Sequence, residues 1–214
     1  MQNEIAKLID HTFLKPAGEK DAIEKLCREA KEFGFATVCV NPAEVRTAAR
    51  LLKGSSVKVC TVIDFPLGQS STMSRILQAT RAIDDGAKEL DLVINQRLLK
   101  YDPEACIKDL KTFASVIEKP IVTKLILECC NLTEDEIIDA CYMARDAGFD
   151  FVKTSTGFGS GGATVEDVKL MRKIVGDVMG VKAAGGIRDK ETALKMIEAG
   201  ADRIGTSCGV KLVS

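Results

Sequence analysis

Four times along the chain a segment of helical character closes on a glycine and a short apolar run follows at once: EFGFATVCV, DDGAKELDLVI, DAGFDFVKT and EAGADRIGT. No other feature restricts the fold so tightly. Gly34, Gly86, Gly148 and Gly200 stand where a left-handed residue ends a helix, so each echo is an α-to-β connection. The apolar runs TVCVNP, VKVCTVI, ELDLVIN, IVTKLILE, DFVKTS, GVKAAG and DRIGTS have strand length and are rich in valine and isoleucine. Between them lie amphipathic stretches. MSRILQATRAIDD places Ile76, Leu77, Thr80 and Ile83 on one stripe, and TEDEIIDACYMARDA opens with a Thr133–Glu136 capping box. In that second helix Ile137, Ile138, Cys141 and Ala144 are expected to face inward. Counting KLIDHT near the start, there are eight strands, parallel because long crossovers join them. Such alternation allows a closed (β/α)8 TIM barrel or an open doubly wound sheet, with the barrel preferred. No linker or charge block divides residues 1–214, which read as a single domain.

Composition removes several function classes. The formal net charge is −1, tryptophan is absent, and no basic stripe is interleaved with aromatics, so nucleic-acid binding has no support. No run of eighteen apolar residues is present, and MQNEIAKLIDHT lacks the core of a signal peptide. The expectation is a cytoplasmic chain without membrane contact. The eight cysteines show no C-x-x-C spacing and read as reduced, small apolar residues. His11 is the only histidine, so a histidine-rich zinc site cannot be built and His11 itself reads as structural.

Two lysines carry the chemistry. FDFVKTSTGFGSGG and MGVKAAGGIRD each end an apolar run on a lysine, Lys153 and Lys182, followed by a glycine-rich loop. Lysine is rarely buried without a reason, and functional groups of parallel sheets gather at these strand ends. Asn95 and Glu128 hold the same position, with Asp91 two pleats inside. Alternation in LDLVIN sends the leucines toward the helices and Asp91 into the barrel; by the same rule Lys124 and Glu128 share a face. One reading of this polar interior is an ion-pair network that merely fills the barrel. The other uses the lysine pKa. Near 10.4, only about one amine in 2500 is neutral at pH 7. A second ammonium roughly 6 Å away, at an effective dielectric near 20, costs about 2.8 kcal/mol, or some two pKa units. Partial desolvation adds to this, and a neutral lysine attacks carbonyl carbon to form a Schiff base. The loops TSTGFGSGG and AAGGIRD, with Ser207 of GTSCG, offer N–H and hydroxyl donors to an anion such as phosphate. Gly157, Gly159 and Gly162 also spell G-x-G-x-x-G, but too late in the chain for a dinucleotide fingerprint.

The segments FVKTSTGFG, VKAAGGIRD, ELDLVIN, IDHTFLKP and FPLG together resemble the deoxyribose-phosphate aldolases, class I aldolases on an eight-stranded α/β barrel. The likeness runs from LIDHT to GTSCG. It implies reversible cleavage of 2-deoxy-D-ribose 5-phosphate to D-glyceraldehyde 3-phosphate and acetaldehyde, within deoxynucleoside catabolism, with no metal or organic cofactor. By motif, Lys153 would form the Schiff base, Lys182 would depress its pKa and share protons, and Asp91 would serve the proton relay. Gly157, Gly185, Gly186 and Ser207 would hold the phosphate, and Cys39 would line the pocket. A homodimer is compatible with the resemblance. Asp64 stands where glycine or asparagine is common, which suggests an extra carboxylate near the pocket. Gln96 and Arg97 replace a small pair, Phe158 a lysine of some members, and Cys208 a serine. These departures keep two alternatives open: a class I aldolase with altered aldehyde preference, and a non-catalytic phosphosugar-binding barrel.

Overall fold

A single closed sheet organises the computed structural model, which describes residues 2–214. Its strands are β1 (Ile9–Phe13), β2 (Thr37–Val40), β3 (Lys58–Ile63), β4 (Glu89–Val93), β5 (Val122–Ile126), β6 (Phe151–Lys153), β7 (Gly180–Ala184) and β8 (Arg203–Thr206). Each pairs in parallel with the next, and β8 returns to β1. All eight apolar runs are strands, and the barrel rather than the open sheet is formed. Gly34 and Gly148 are left-handed helix caps at φ 69° and 87°; Gly86 and Gly200, both at φ 112°, follow the last helical turn by one residue. The capping box of Thr133 and Glu136 is present. No described helix is long and apolar enough to cross a membrane.

The period of two divides the strand side chains into an outer and an inner set. Leu90, Leu92, Ile94, Leu125, Val152, Val181 and Ile204 point outward into one continuous core beneath the helices. Fully burying each such side chain is worth about 1.5–3 kcal/mol, so this layer holds the barrel closed. The inner set is split by chemistry. On the β2–β3 side Cys39, Cys60 and Val62 pack with Leu14 and Phe65 in a small apolar cluster. On the β4–β8 side the interior is charged, with Glu89, Asp91, Lys124, Lys153 and Lys182 all buried.

The helix Thr72–Asp84 departs from the stripe expected of it. Its buried residues are Arg75, Ala79 and Ala82, while Leu77 is 63% exposed. The cause is Arg75, an inward arginine that apolar periodicity does not count. Its Nε lies 2.8 Å from Asp64 Oδ2, its Nη1 meets Asp109, and its Nη2 donates to Gly68 O at 2.7 Å. Asp64, in a left-handed conformation at φ 53°, also accepts from Ser70 N at 2.9 Å and Ser70 Oγ at 2.7 Å. The expected extra carboxylate therefore closes the β3-to-helix turn, its charge taken up by Arg75. Arg75→Met leaves two largely buried carboxylates without their cation and is expected to lower unfolding free energy by about 3–5 kcal/mol in urea titration. A loss below about 1 kcal/mol would remove this cluster from the interactions that support the barrel mouth.

Candidate active site

Register assembles the charged interior. Asp91 of β4 lies opposite Lys124 of β5, and Lys153 of β6 lies opposite Lys182 of β7, two residues above the level of Lys124. All four side chains turn inward and meet at one carboxylate. Asp91 Oδ1 accepts from Lys124 Nζ at 2.8 Å; Oδ2 accepts from Lys153 Nζ at 2.9 Å and from Lys182 Nζ at 2.8 Å. Sharing one oxygen holds the Lys153 and Lys182 ammonium groups within roughly 6 Å of each other, the spacing at which repulsion matters. Glycine makes room for this. A Cβ on Gly205 would stand 3.1 Å from Lys182 Cε and 2.9 Å from Ala184 Cβ.

A second tier lies beneath. Lys182 Nζ is 2.5 Å from Asp10 Oδ2, an ion pair whose angles are poor for a hydrogen bond. Lys124 Nζ is 2.7 Å from Glu89 Oε2, and Arg203 Nη1 reaches Asp10 Oδ1 at 2.6 Å and Glu89 Oε2 at 3.3 Å. Thr37 Oγ1 donates to Asp10 Oδ1 at 2.8 Å. Four cations thus face three carboxylates. Burial opposes the charge on Asp91, but Lys124, Lys153 and Lys182 outweigh it and hold the carboxyl well below the usual range. Burial likewise opposes the charge on Lys182, but Asp10 and Asp91 outweigh it and raise its pKa. Lys124 is raised in the same way, with Asp91 the largest of the opposing carboxylates. The interior therefore carries one proton too many, with Lys182 and Lys124 anchored between carboxylates. Lys153 has a share of Asp91 only.

A cleft of about 380 Å³ opens over this network at the C-terminal ends of the strands, bordered by Lys153, Thr156, Gly157, Phe158, Gly185, Gly186, Arg188, Thr12, Lys15 and Ser207. Of the interior lysines, Lys153 alone borders it; Lys182 and Asp91 lie directly beneath, fully buried. Gly157, Gly185 and Gly186 have φ of 84°, 89° and 79°. Their N–H groups have no hydrogen-bond partner among the described residues. A larger hollow of about 470 Å³, beside the helix Ala22–Phe33, shares Thr12, Phe13, Lys15 and Ser207 with the cleft but does not reach Lys153. His11 borders that hollow, buried, with Nε2 2.8 Å from Glu29 Oε2 and its ring edge-on to Phe35. Burial holds its pKa below the usual value despite Glu29.

Sequence reasoning brought Asp91, Lys153 and Lys182 together, and the structure gathers them at one point. Gly157, Gly185, Gly186 and Ser207 share one rim of the cleft. Cys39 does not line it. Its register opposite Thr12 and Cys60 sets it inside the barrel, covered by Leu14 and Phe65, with no exposed surface. Cys39, Cys60 and Asp91 offer donor atoms within 4.8 Å of one another, but the three lysines on Asp91 make this an unfavourable place for a cation. Glu128 does not share the inward face of Lys124. β5 ends at Ile126, and a left-handed φ of 58° turns the Glu128 carboxylate to Thr156. Asn95 caps the helix Gln96–Tyr101 by accepting from Leu98 N at 3.1 Å. Phe158 is half exposed, edge-on to Phe65 at 5.3 Å, and its N–H is already taken by Thr156 Oγ1 at 3.0 Å. Cys208, half-buried, gives its N–H to Thr206 Oγ1 at 2.9 Å. Sequence reasoning missed Lys15 and Arg188 at the rim and Asp10, Glu89 and Arg203 below it. Asp10 and Arg203 were open to the same alternation argument that placed Asp91.

A (β/α)8 barrel with one interior lysine reaching the mouth, backed by a carboxylate and a second buried ammonium, has the layout of a class I aldolase. The chain belongs to the DeoC/LacD family of aldolases, whose model matches residues 5–213. It is 56% identical to the deoxyribose-phosphate aldolase of Thermococcus kodakarensis over 216 residues, covering 99% of this chain and 96% of that one. It is 54% identical to the deoxyribose-phosphate aldolase of Thermoanaerobacter sp. (strain X514), covering 98% and 95%. Among solved structures, the tetrameric deoxyribose phosphate aldolase of Aeropyrum pernix superposes with a TM-score of 0.93 at 33% identity, covering 100% of this chain and 91% of that one.

The lower tier gives a pH dependence whose sign is fixed. Burial would raise the Asp10 carboxyl, but Lys182, Lys124 and Arg203 together hold it below the usual range. An unfolded aspartate titrates near 3.9. Asp10 therefore adds stability that is fully present above about pH 4 and is lost as pH falls toward its folded value. Asp10→Asn is expected to be less stable than the parent at pH 7, with the gap narrowing below pH 4; urea titrations at pH 7 and pH 3 measure it. An equal gap at both values would mean that the charge on Asp10 contributes nothing.

Proposed function

We propose that this chain is a deoxyribose-phosphate aldolase that cleaves 2-deoxy-D-ribose 5-phosphate reversibly, with Lys153 as the Schiff-base lysine. Relatives more than half identical over nearly the whole chain bear that name, which supports the activity. One observation carries the residue assignment: among the interior lysines only Lys153 borders the cleft.

The interior is short of one negative charge, and Lys153 has the fewest carboxylates to hold its proton. Its neutral amine attacks the C1 aldehyde carbon of the open-chain sugar, and loss of water leaves a protonated Schiff base. That cation is the electron sink. Removal of the 3-hydroxyl proton breaks the C2–C3 bond, the electron pair passes into an enamine, and D-glyceraldehyde 3-phosphate leaves. Protonation of the enamine at C2 and hydrolysis of the imine release acetaldehyde and restore Lys153. Asp91 bonds three ammonium groups and is a weak base in consequence, so it orients Lys153 and passes a proton through Lys182 rather than storing one. Lys182 remains charged and disfavours a second charge on Lys153. The phosphate end falls to the free N–H groups of Gly157, Gly185 and Gly186 with the Ser207 hydroxyl, and Lys15 and Arg188 supply charge at the rim. This chemistry calls on no metal or organic cofactor.

Eight unpaired thiols suit a reducing cytoplasm. The family resemblance alone suggests a homodimer, for which sedimentation velocity is expected to give twice the mass of one chain. A single species at monomer mass would dismiss it, and a tetramer, the state described for the Aeropyrum pernix protein, would replace it.

Borohydride reduction in the presence of acetaldehyde is expected to leave an ethyl adduct on Lys153, found by peptide mapping. Lys153→Ala should form none and lose activity by about a thousandfold or more with its fold intact. An adduct on Lys182 would exchange the roles of the two lysines, and folded protein without any adduct would favour the phosphosugar-binding barrel. Lys182→Leu removes the neighbouring cation, so the acid limb of the rate profile should move to higher pH by up to about two units. An unchanged limb would end the proposed coupling.

A further inference from the structure

We infer that Glu128 is a positioning residue that sets the phosphate end of the cleft by fixing the loop after β6. The inference rests on the phosphate reading just given and extends it to a residue that does not touch substrate. The Glu128 carboxylate is buried and accepts twice from one residue: from Thr156 N at 3.1 Å and from the Thr156 hydroxyl. That hydroxyl oxygen in turn accepts from Phe158 N at 3.0 Å. The donors flanking Gly157 are thereby consumed, and the N–H of Gly157 is left free at the cleft wall.

Two further observations show that Glu128 is built for this task. Its backbone is left-handed at φ 58°, a conformation unfavourable for a side chain of this size and retained only when neighbours enforce it. The enforcement comes from Gln96, whose amide donates to Leu127 O at 2.7 Å and Glu128 O at 3.1 Å and is itself steadied by Asn131 at 3.1 Å. The loop also lies directly on this support. A Cβ on Gly159 would stand 3.1 Å from Glu128 Cδ, and one on Gly161 2.8 Å from Cys130 Cβ. These glycines thus have a packing duty beside Glu128, distinct from anion binding. The line of force runs from Gln96 to the Glu128 backbone, from its carboxylate to Thr156, and so to the Gly157 N–H.

The test compares 2-deoxyribose 5-phosphate with unphosphorylated 2-deoxyribose as substrates, and measures competitive inhibition by inorganic phosphate. The parent, Glu128→Gln, Glu128→Ala and Gln96→Leu are assayed with thermal melts in parallel. The amide of Glu128→Gln cannot accept both Thr156 donors. It should raise KM for the phosphorylated sugar, and the inhibition constant for phosphate, by roughly tenfold, with Glu128→Ala the same or worse. kcat, and kcat/KM for the unphosphorylated sugar, should stay within about twofold. Gln96→Leu should act in the same direction to a smaller extent, and it decides the matter if a Glu128 variant melts below the assay temperature. Unchanged KM and phosphate inhibition in folded variants would overturn the inference, as would equal losses on both substrates, the mark of a merely structural role. If the parent itself neither prefers the phosphorylated sugar nor responds to phosphate, the phosphate reading of the cleft fails and the inference falls with it.

Discussion

One carboxylate, that of Asp91, accepts from three lysines, and the arrangement of the mouth depends on it. Three ammonium groups would not otherwise share a dry interior. Each must be paired or lose its proton, and the carboxylate allows most of the charge to remain. The lower tier of Asp10, Glu89 and Arg203 completes the balance for Lys124 and Lys182 but gives Lys153 nothing more. The network is thus graded. Two lysines are fastened as permanent cations and the third is held by one shared oxygen. As a source of stability such an assembly is a poor investment, and an apolar filling of the same volume would do as well. The apolar cluster of Cys39, Cys60 and Val62 on the adjoining β2–β3 wall is that cheaper filling, with the Cys60 thiol at its edge donating to Asp91 Oδ1 at 3.2 Å. The charged kind fills the rest of the barrel, on β1 and from β4 to β8, beneath the cleft.

The architecture was legible because it is periodic. Strand runs, helix-ending glycines and the capping box are local signals repeated around the barrel, and each was found where it was expected. Alternation also sufficed for Asp91, since the leucines on either side of it need the helical layer. The same rule failed at Glu128 because it assumes that a strand continues, whereas β5 ends two residues earlier and the chain turns left-handed. The helix Thr72–Asp84 failed for a different reason. Arg75 is buried by partners at positions 64 and 109, and no local pattern announces an inward arginine.

The candidate site was legible in proportion to how much of it lay in motifs. Lys153, Lys182 and the glycine loops follow strand ends in plain view. Lys15 and Arg188 sit inside quoted motifs, yet a single basic residue in a loop acquires meaning only once the barrel brings the loops after β1 and β7 to one rim. Arg203 and Glu89 lie in quoted strand runs, where alternation gives only their face, and closure of the barrel is what places them against Asp10 and Lys124. Residues that act by charge at a distance in sequence are the ones that reading along the chain passes over.

The surplus positive charge under the cleft, with Lys15 and Arg188 above it, also has a reach beyond contact. The chain as a whole carries a formal charge of −1, so the positive potential belongs to one end of the molecule and not to its average. A dianionic sugar phosphate diffusing nearby is drawn to that end and turned with its phosphate leading. Such steering works over about a Debye length, 8–10 Å in ordinary salt, and fades as ionic strength rises. The charge arrangement proposed to ready Lys153 for chemistry would thereby also bias how often, and in what orientation, a substrate arrives.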